Sequence, residues 1–152
     1  MRKHLLFIIL SLLLCTPLSA QLLLSDSAKI YLLTCTPGTE VWSKYGHTGI
    51  RVLDQTNQLD IVFNYGIFSL MDDGFYLKFI KGDTYYQLGI EPYNYFLRFY
   101  KRIGRTTYLQ ELNLTPAQKQ QVFDALMINY QPENRVYHYN FVFDNCATRP
   151  YH

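Results

Sequence analysis

Cys146 is the residue in this chain best placed to act as a nucleophile. Upstream of it, aromatics at Tyr137, Tyr139, Phe141 and Phe143 alternate with Val136, His138, Asn140 and Val142. That period of two predicts a strand over 136–143 with one buried face. The polar segment Asp144-Asn145-Cys146-Ala147-Thr148-Arg149 then opens a helix with the cysteine at its N-terminus. Orphan N–H groups and the helix dipole favour a thiolate there, and the thiolate is the reactive form. Such a nucleophile needs a base and a group that orients the base. His47 is the candidate base. It begins the β-prone run 46–53, and 60–66 reads as the other arm of a hairpin. Asp60, Val62 and Asn64 share one face of that arm, which makes Asn64 the candidate orienter. A thiolate–imidazolium pair would depress the pKa of Cys146 further.

Each residue also has a structural reading. A lone strand histidine is commonly a hydrogen-bonded structural residue, Asn64 before Tyr65-Gly66 can simply end a strand, and Asp144-Asn145 can be an N-cap pair. Asn145 and the Cys146 backbone N–H are candidates for an oxyanion hole. Arg51, Arg135 and Arg149 are candidate anion binders, Arg149 first because it lies three residues after the thiol. Tyr65 joins Asn145 and Arg149 as a candidate substrate contact.

The elements that must position these groups follow from local chemistry. Residues 28–34 form a first strand, Pro37-Gly38-Thr39-Glu40 a turn, and 84–90 and 106–112 further strands. Phe75 with Phe79, and Phe96 with Tyr100, stand one helical turn apart, and Gly82 and Gly104 are helix stops. Thr115-Pro116-Ala117-Gln118 is a capping box with proline at the first helical position, and Val122, Phe123, Leu126, Met127 and Tyr130 trace one apolar face. The sum is an α+β domain with five to seven short strands, an antiparallel sheet and flanking helices. Most aromatics between Phe68 and Tyr100 are assigned to its core, although Tyr and Trp also suit a lipid surface.

Composition sets the compartment. Arg2 and Lys3, an apolar run from Leu5 to Leu14 and Ser19-Ala20 describe a signal peptide over 1–20, leaving 21–152 as the mature domain. The export takes two basic residues away, so 12 basic and 12 acidic residues remain and no nucleic-acid footprint is visible. Of the mature cysteines, Cys35 and Cys146, an oxidising compartment makes a Cys35–Cys146 disulfide the default that catalysis must displace. The histidines show no ligand spacing, so no metal and no other cofactor is called for.

The order of the pieces, His on a strand, a polar residue on the next and Asn-Cys leading into a helix, resembles the circularly permuted papain-like thiol enzymes. Among these are the lecithin:retinol acyltransferase-like proteins, which carry a His where this chain has Asn64, and the NlpC-type cell-wall peptidases. A tighter resemblance rests on Cys35-Thr36-Pro37-Gly38-Thr39-Glu40, Ser43 with Tyr45-Gly46-His47-Thr48, Phe63-Asn64-Tyr65-Gly66, Pro132-Glu133-Asn134-Arg135 and Phe143-Asp144-Asn145-Cys146-Ala147-Thr148-Arg149. These segments are similar to the N-terminal periplasmic domain of the Lnb-type proteins of Bacteroidota. The resemblance implies a lipoprotein N-acyltransferase at the outer face of the inner membrane. A phospholipid acyl donor would load Cys146 as a thioester, with His47 as base, and a diacylglyceryl-cysteine lipoprotein would accept the chain. It also implies a following membrane domain and more helix after Cys146, so a chain stopping at His152 reads as a C-terminal truncation. Two alternatives stand beside this: a peptidoglycan amidase or endopeptidase using the same Cys–His site, and a non-catalytic domain closed by the Cys35–Cys146 disulfide.

Overall fold

A computed structural model describes residues 22–68 and 74–151, so the expected signal peptide lies outside the described residues. Six strands build one sheet: β1 Lys29–Cys35, β2 His47–Asp54, β3 Leu59–Ile67, β4 Thr84–Pro92, β5 Thr107–Glu111 and β6 Val136–Tyr139. Their order is β5-β1-β2-β3-β4-β6, and every neighbouring pair is antiparallel. Among the described residues three α-helices accompany them: α1 Phe75–Lys81, α2 Tyr93–Arg102 and α3 Pro116–Tyr130. The α+β reading and the antiparallel sheet are therefore observed.

Strand alternation divides the core. Ile30, Ile50, Val52, Phe63, Tyr65, Tyr86, Leu88 and Tyr137 point to one face, where Phe75 and Phe79 of α1 and Phe123 and Leu126 of α3 cover them. Leu33, Cys35 and Val62 point to the other, where Phe96 and Tyr100 of α2 close over them. Both spaced aromatic pairs thus do what their spacing predicts. The α3 capping box forms as well, with the Gln118 N–H donating to Thr115 Oγ1, and α1 stops at Gly82, whose φ of 70° is left-handed. The aromatic band splits: Phe75, Phe79, Tyr86, Phe96 and Tyr100 are buried, whereas Tyr76, Tyr85, Tyr95 and Phe99 face solvent.

The last strand is shorter than its alternation predicts. β6 ends at Tyr139 because the Asn140 side chain captures the next donors, accepting from the N–H of Val142 at 2.9 Å and of Phe143 at 3.0 Å. Backbone groups tied to a neighbouring side chain are lost to the ladder, and the chain turns instead.

Asp54 anchors the far end of the β2–β3 hairpin. Fully buried, it accepts from the Ser25 N–H at 2.7 Å and Ser25 Oγ at 2.7 Å, and from Asn57 Nδ2 at 2.7 Å. Burial would raise its pKa, but the Ser25 and Asn57 hydrogen bonds outweigh it and hold the carboxyl down to about 2. Asp54→Ala is expected to destabilise the domain by about 2–3 kcal/mol in urea unfolding at pH 7, since several donors lose a charged acceptor. A depressed pKa gives stability present above the unfolded value and lost below it. The difference between the two proteins should therefore shrink as pH falls from 4 towards 2.

Candidate active site

His47 is the first residue of β2, opposite Cys35 of β1. Gly46 delivers the chain to it at a φ of 80°, where a Cβ would lie 2.7 Å from the Cys35 carbonyl oxygen. Glycine supplies both the left-handed backbone and the close approach. In the β2–β3 ladder Gly49 pairs with Asn64, which makes Asn64 the diagonal cross-strand neighbour of His47. The two side chains meet, His47 Nε2 to Asn64 Oδ1, at 2.7 Å.

The hydrogen bonds around Asn64 decide the tautomer of His47. Asn64 Oδ1 accepts from the Gly66 N–H at 2.9 Å, a group that can only donate. Asn64 Nδ2 donates to Glu91 Oε1 of β4 at 3.1 Å, a group that as a carboxylate can only accept. The amide therefore has one orientation, and Oδ1 faces Nε2 as an acceptor. His47 carries its proton on Nε2, which leaves Nδ1 as the basic nitrogen. Continuing the ladder register sets Gly66 opposite His47, and a Cβ there would overlap Cε1 of the imidazole. Just beyond it the β3–β4 register shifts between Asn64 and Ile67, a bulge that bends β3 beside the ring. Tyr100 of α2 lies parallel to the imidazole, centroids 6.1 Å apart.

Cys146 arrives on the loop after β6. Asn145 has the hydrogen bonds of an N-cap: its Oδ1 accepts from the N–H of Ala147 at 2.9 Å and of Thr148 at 3.2 Å, and its carbonyl accepts from the Arg149 N–H at 2.9 Å. Cys146 is thus the first residue of a single turn that passes into a 3-10 turn over Arg149–Tyr151. The three expected substrate contacts each have hydrogen-bond partners within the domain, Tyr65 through its backbone carbonyl alone. Asn145 Nδ2 donates to the carbonyls of Phe141 and Asn140, so no amide hydrogen is left for an oxyanion. Arg149 makes a forked pair with Asp144 and lies 4.1 Å over the Tyr137 ring. Tyr65 is buried and gives its carbonyl to the Tyr137 hydroxyl. Of the three only Asn145 reaches the cavity wall. Arg51 is likewise spent, on Asp60, beneath Tyr93.

His47, Asn64 and Cys146 line one cavity of about 1420 Å3. Trp42, Phe68, Tyr86, Tyr139 and Phe141 form an aromatic part of its wall, and Arg98, Lys101, Arg102 and Arg105 a basic one. Burial lowers the pKa of His47 to about 4; the Asn64 hydrogen bond opposes this and the Arg105 charge adds to it. Burial also pushes the Cys146 thiol up, against the backbone N–H groups of Thr48 and Cys146 and the Arg105 charge, which lower it. Both shifts favour the uncharged forms, so the cavity that His47 and Cys146 line favours a neutral imidazole and a neutral thiol. The physical reason is desolvation, which acts on both partners against their charged forms. Cys35 and Cys146 are free thiols, and the Cys35 sulfur lies 3.6 Å from Thr107 Oγ1.

Glu91, Tyr100 and Arg105 escape the sequence reading. Only the strand register brings Glu91 behind Asn64, and only the packing of α2 brings Tyr100 onto the ring. An acid near the end of β4, after Leu88-Gly89-Ile90, was the available hint.

Residues 20–151 match the family model for the Lnb N-terminal periplasmic domain. No curated protein and no solved structure is similar enough to match.

Gly66→Ala tests the site directly. The added methyl group displaces the imidazole while β3 keeps its core residues. Turnover of an activated acyl ester at Cys146 should fall about a hundredfold, the scale of an ångström-sized misplacement, with the far-ultraviolet circular dichroism unchanged.

Proposed function

The chain belongs to the family of Lnb N-terminal periplasmic domains, and on that footing we propose that it is the thiol acyl-transfer module of a lipoprotein N-acyltransferase. The observation that carries this reading is a thiol and an imidazole of fixed tautomer sharing a large cavity with an aromatic wall. His47 on one strand, Asn64 on the next and Cys146 after the last strand follow the permuted papain-like order. Residues 1–20 act as a signal peptide, and the exported domain works at the outer face of the inner membrane.

In the first half-reaction Cys146 Sγ attacks the acyl carbonyl of a phospholipid while His47 Nδ1 takes the thiol proton. The Thr48 and Cys146 backbone N–H groups, which lower the pKa of the thiol, are the donors assigned to the oxyanion. The carbon–oxygen ester bond breaks, the lysophospholipid leaves with the proton from His47, and an acyl thioester remains. In the second, the α-amine of a diacylglyceryl-cysteine lipoprotein attacks the thioester. His47 accepts the amine proton and returns it to the departing sulfur, leaving an N-acyl chain. A neutral imidazole is the competent form at both steps, and its depressed pKa keeps it neutral at physiological pH. The aromatic wall suits an acyl chain better than the polar peptide of a cell-wall amidase.

Intact mass after incubation with phospholipid vesicles checks the reading. An added acyl mass that hydroxylamine removes is expected, absent in Cys146→Ala and formed about 10²–10⁴ times more slowly in His47→Ala. A protein that releases diaminopimelyl fragments from purified cell wall and never gains acyl mass would overturn it.

A further inference from the structure

Arg105 stands out among the described arginines for a buried guanidinium nitrogen with no hydrogen-bond partner. Arg51 and Arg149 each hold a carboxylate through a forked pair. Among the described residues no carboxylate pairs with Arg105. Its Nε donates to the Thr36 carbonyl at 2.6 Å, its guanidinium lies 4.8 Å over Tyr100, and its Nη2 is buried without a hydrogen-bond partner. Gly38 makes room for the side chain, since a Cβ there would lie 3.2 Å from Arg105 Cδ. A desolvated cation with an unmet donor is costly to hold. Its charge reaches the reacting groups, because it lowers the pKa of both His47 and Cys146.

The cavity around it is polarised. On one side the rings of Trp42, Phe68, Tyr86 and Tyr139 run in contact, Trp42 edge-on to Phe68 at 6.0 Å and Tyr86 stacked on Tyr139 at 4.3 Å. On the other, Arg105 stacks on Tyr100, which itself lies against His47, and Arg98, Lys101 and Arg102 of α2 extend the positive wall. The acids on the wall are Glu40 and Glu91, and Glu91 is engaged by Asn64. Cys146 packs against the aromatic cluster. A glycerophospholipid has matching anatomy: apolar chains, then an ester carbonyl, then a phosphate a few bonds further on.

We propose that Arg105 is the anion subsite of this cavity and holds the phosphate of a glycerophospholipid while its acyl ester lies at Cys146. The inference rests on the acyl-transfer reading for the role of the bound lipid. Arginine is suited to it, because the planar fork recognises phosphate through charge-assisted hydrogen bonds. Arg105 makes the site select a phosphorylated donor over a neutral glyceride. Arg98, Lys101 and Arg102 add attraction that salt screens.

Binding can be measured apart from catalysis. Trp42 is the only tryptophan of the chain and lines the cavity, so its fluorescence reports occupancy. The protein carrying Cys146→Ala is titrated with dihexanoyl phosphatidylglycerol below its micelle concentration, with dihexanoylglycerol and with inorganic phosphate. The phospholipid is expected to bind at least about tenfold more tightly than the neutral glyceride, and Arg105→Gln to abolish that preference while leaving glyceride affinity unchanged. Arg105→Lys should keep part of it. Equal affinity for the two lipids overturns the proposal without any variant, as does a parallel loss for both lipids in Arg105→Gln. Inorganic phosphate binding as tightly as the phospholipid would assign the subsite to a free anion and overturn the lipid assignment. Selective phospholipid binding by a protein that never gains acyl mass would uphold the subsite and reject the catalytic reading.

Discussion

The site depends on the orientation of one amide. Asn64 sits between a backbone N–H that can only donate and a carboxylate that only accepts, so its oxygen must face His47. That places the imidazole proton on Nε2 and leaves Nδ1 available as a base. The arrangement draws on three consecutive strands of the sheet, since His47 is on β2, Asn64 on β3 and Glu91 on β4. Loss of register anywhere across this span would move a partner to the opposite face. The sheet is thus the rigid frame of the site, and the bulge after Asn64 with the bare Gly66 is the local adjustment that lets the ring fit.

Burial then sets the chemistry. The same desolvation that favours a neutral His47 favours a neutral Cys146 thiol, so the proposed nucleophile and base both rest uncharged. In the proposed reaction charge appears only when the imidazole takes the thiol proton. A neutral pair avoids the cost of a buried ion pair in the resting protein. In that proposed step the Thr48 and Cys146 N–H groups and the Arg105 cation favour the developing thiolate, whereas Arg105 opposes the imidazolium.

Much of this was legible in the residues themselves. Hairpin alternation put Asn64 on a face from which an ordinary turn could bring it near His47, but the register that makes them diagonal neighbours belongs to the folded sheet. The α3 capping box and the two aromatic pairs were local, and they formed where their spacing required. Legibility failed wherever a side chain could choose between partners. Arg149 chose Asp144, Asn145 chose the carbonyls of its own loop, and Asn140 stopped β6 by taking two backbone donors. The direction of the pKa shifts was not legible for a related reason. A helix-start cysteine predicts a thiolate from local electrostatics alone, whereas the depth of its burial is a property of the folded cavity.

The most direct test is the side-chain nitrogen-15 spectrum of His47 as a function of pH, assigned by comparison with His47→Gln. A neutral ring protonated on Nε2 should persist from pH 8 down to about pH 5, with protonation of Nδ1 only near pH 4. A ring that titrates between pH 6 and 7, or one that carries its neutral-state proton on Nδ1, would contradict the Asn64-fixed base on which the account rests.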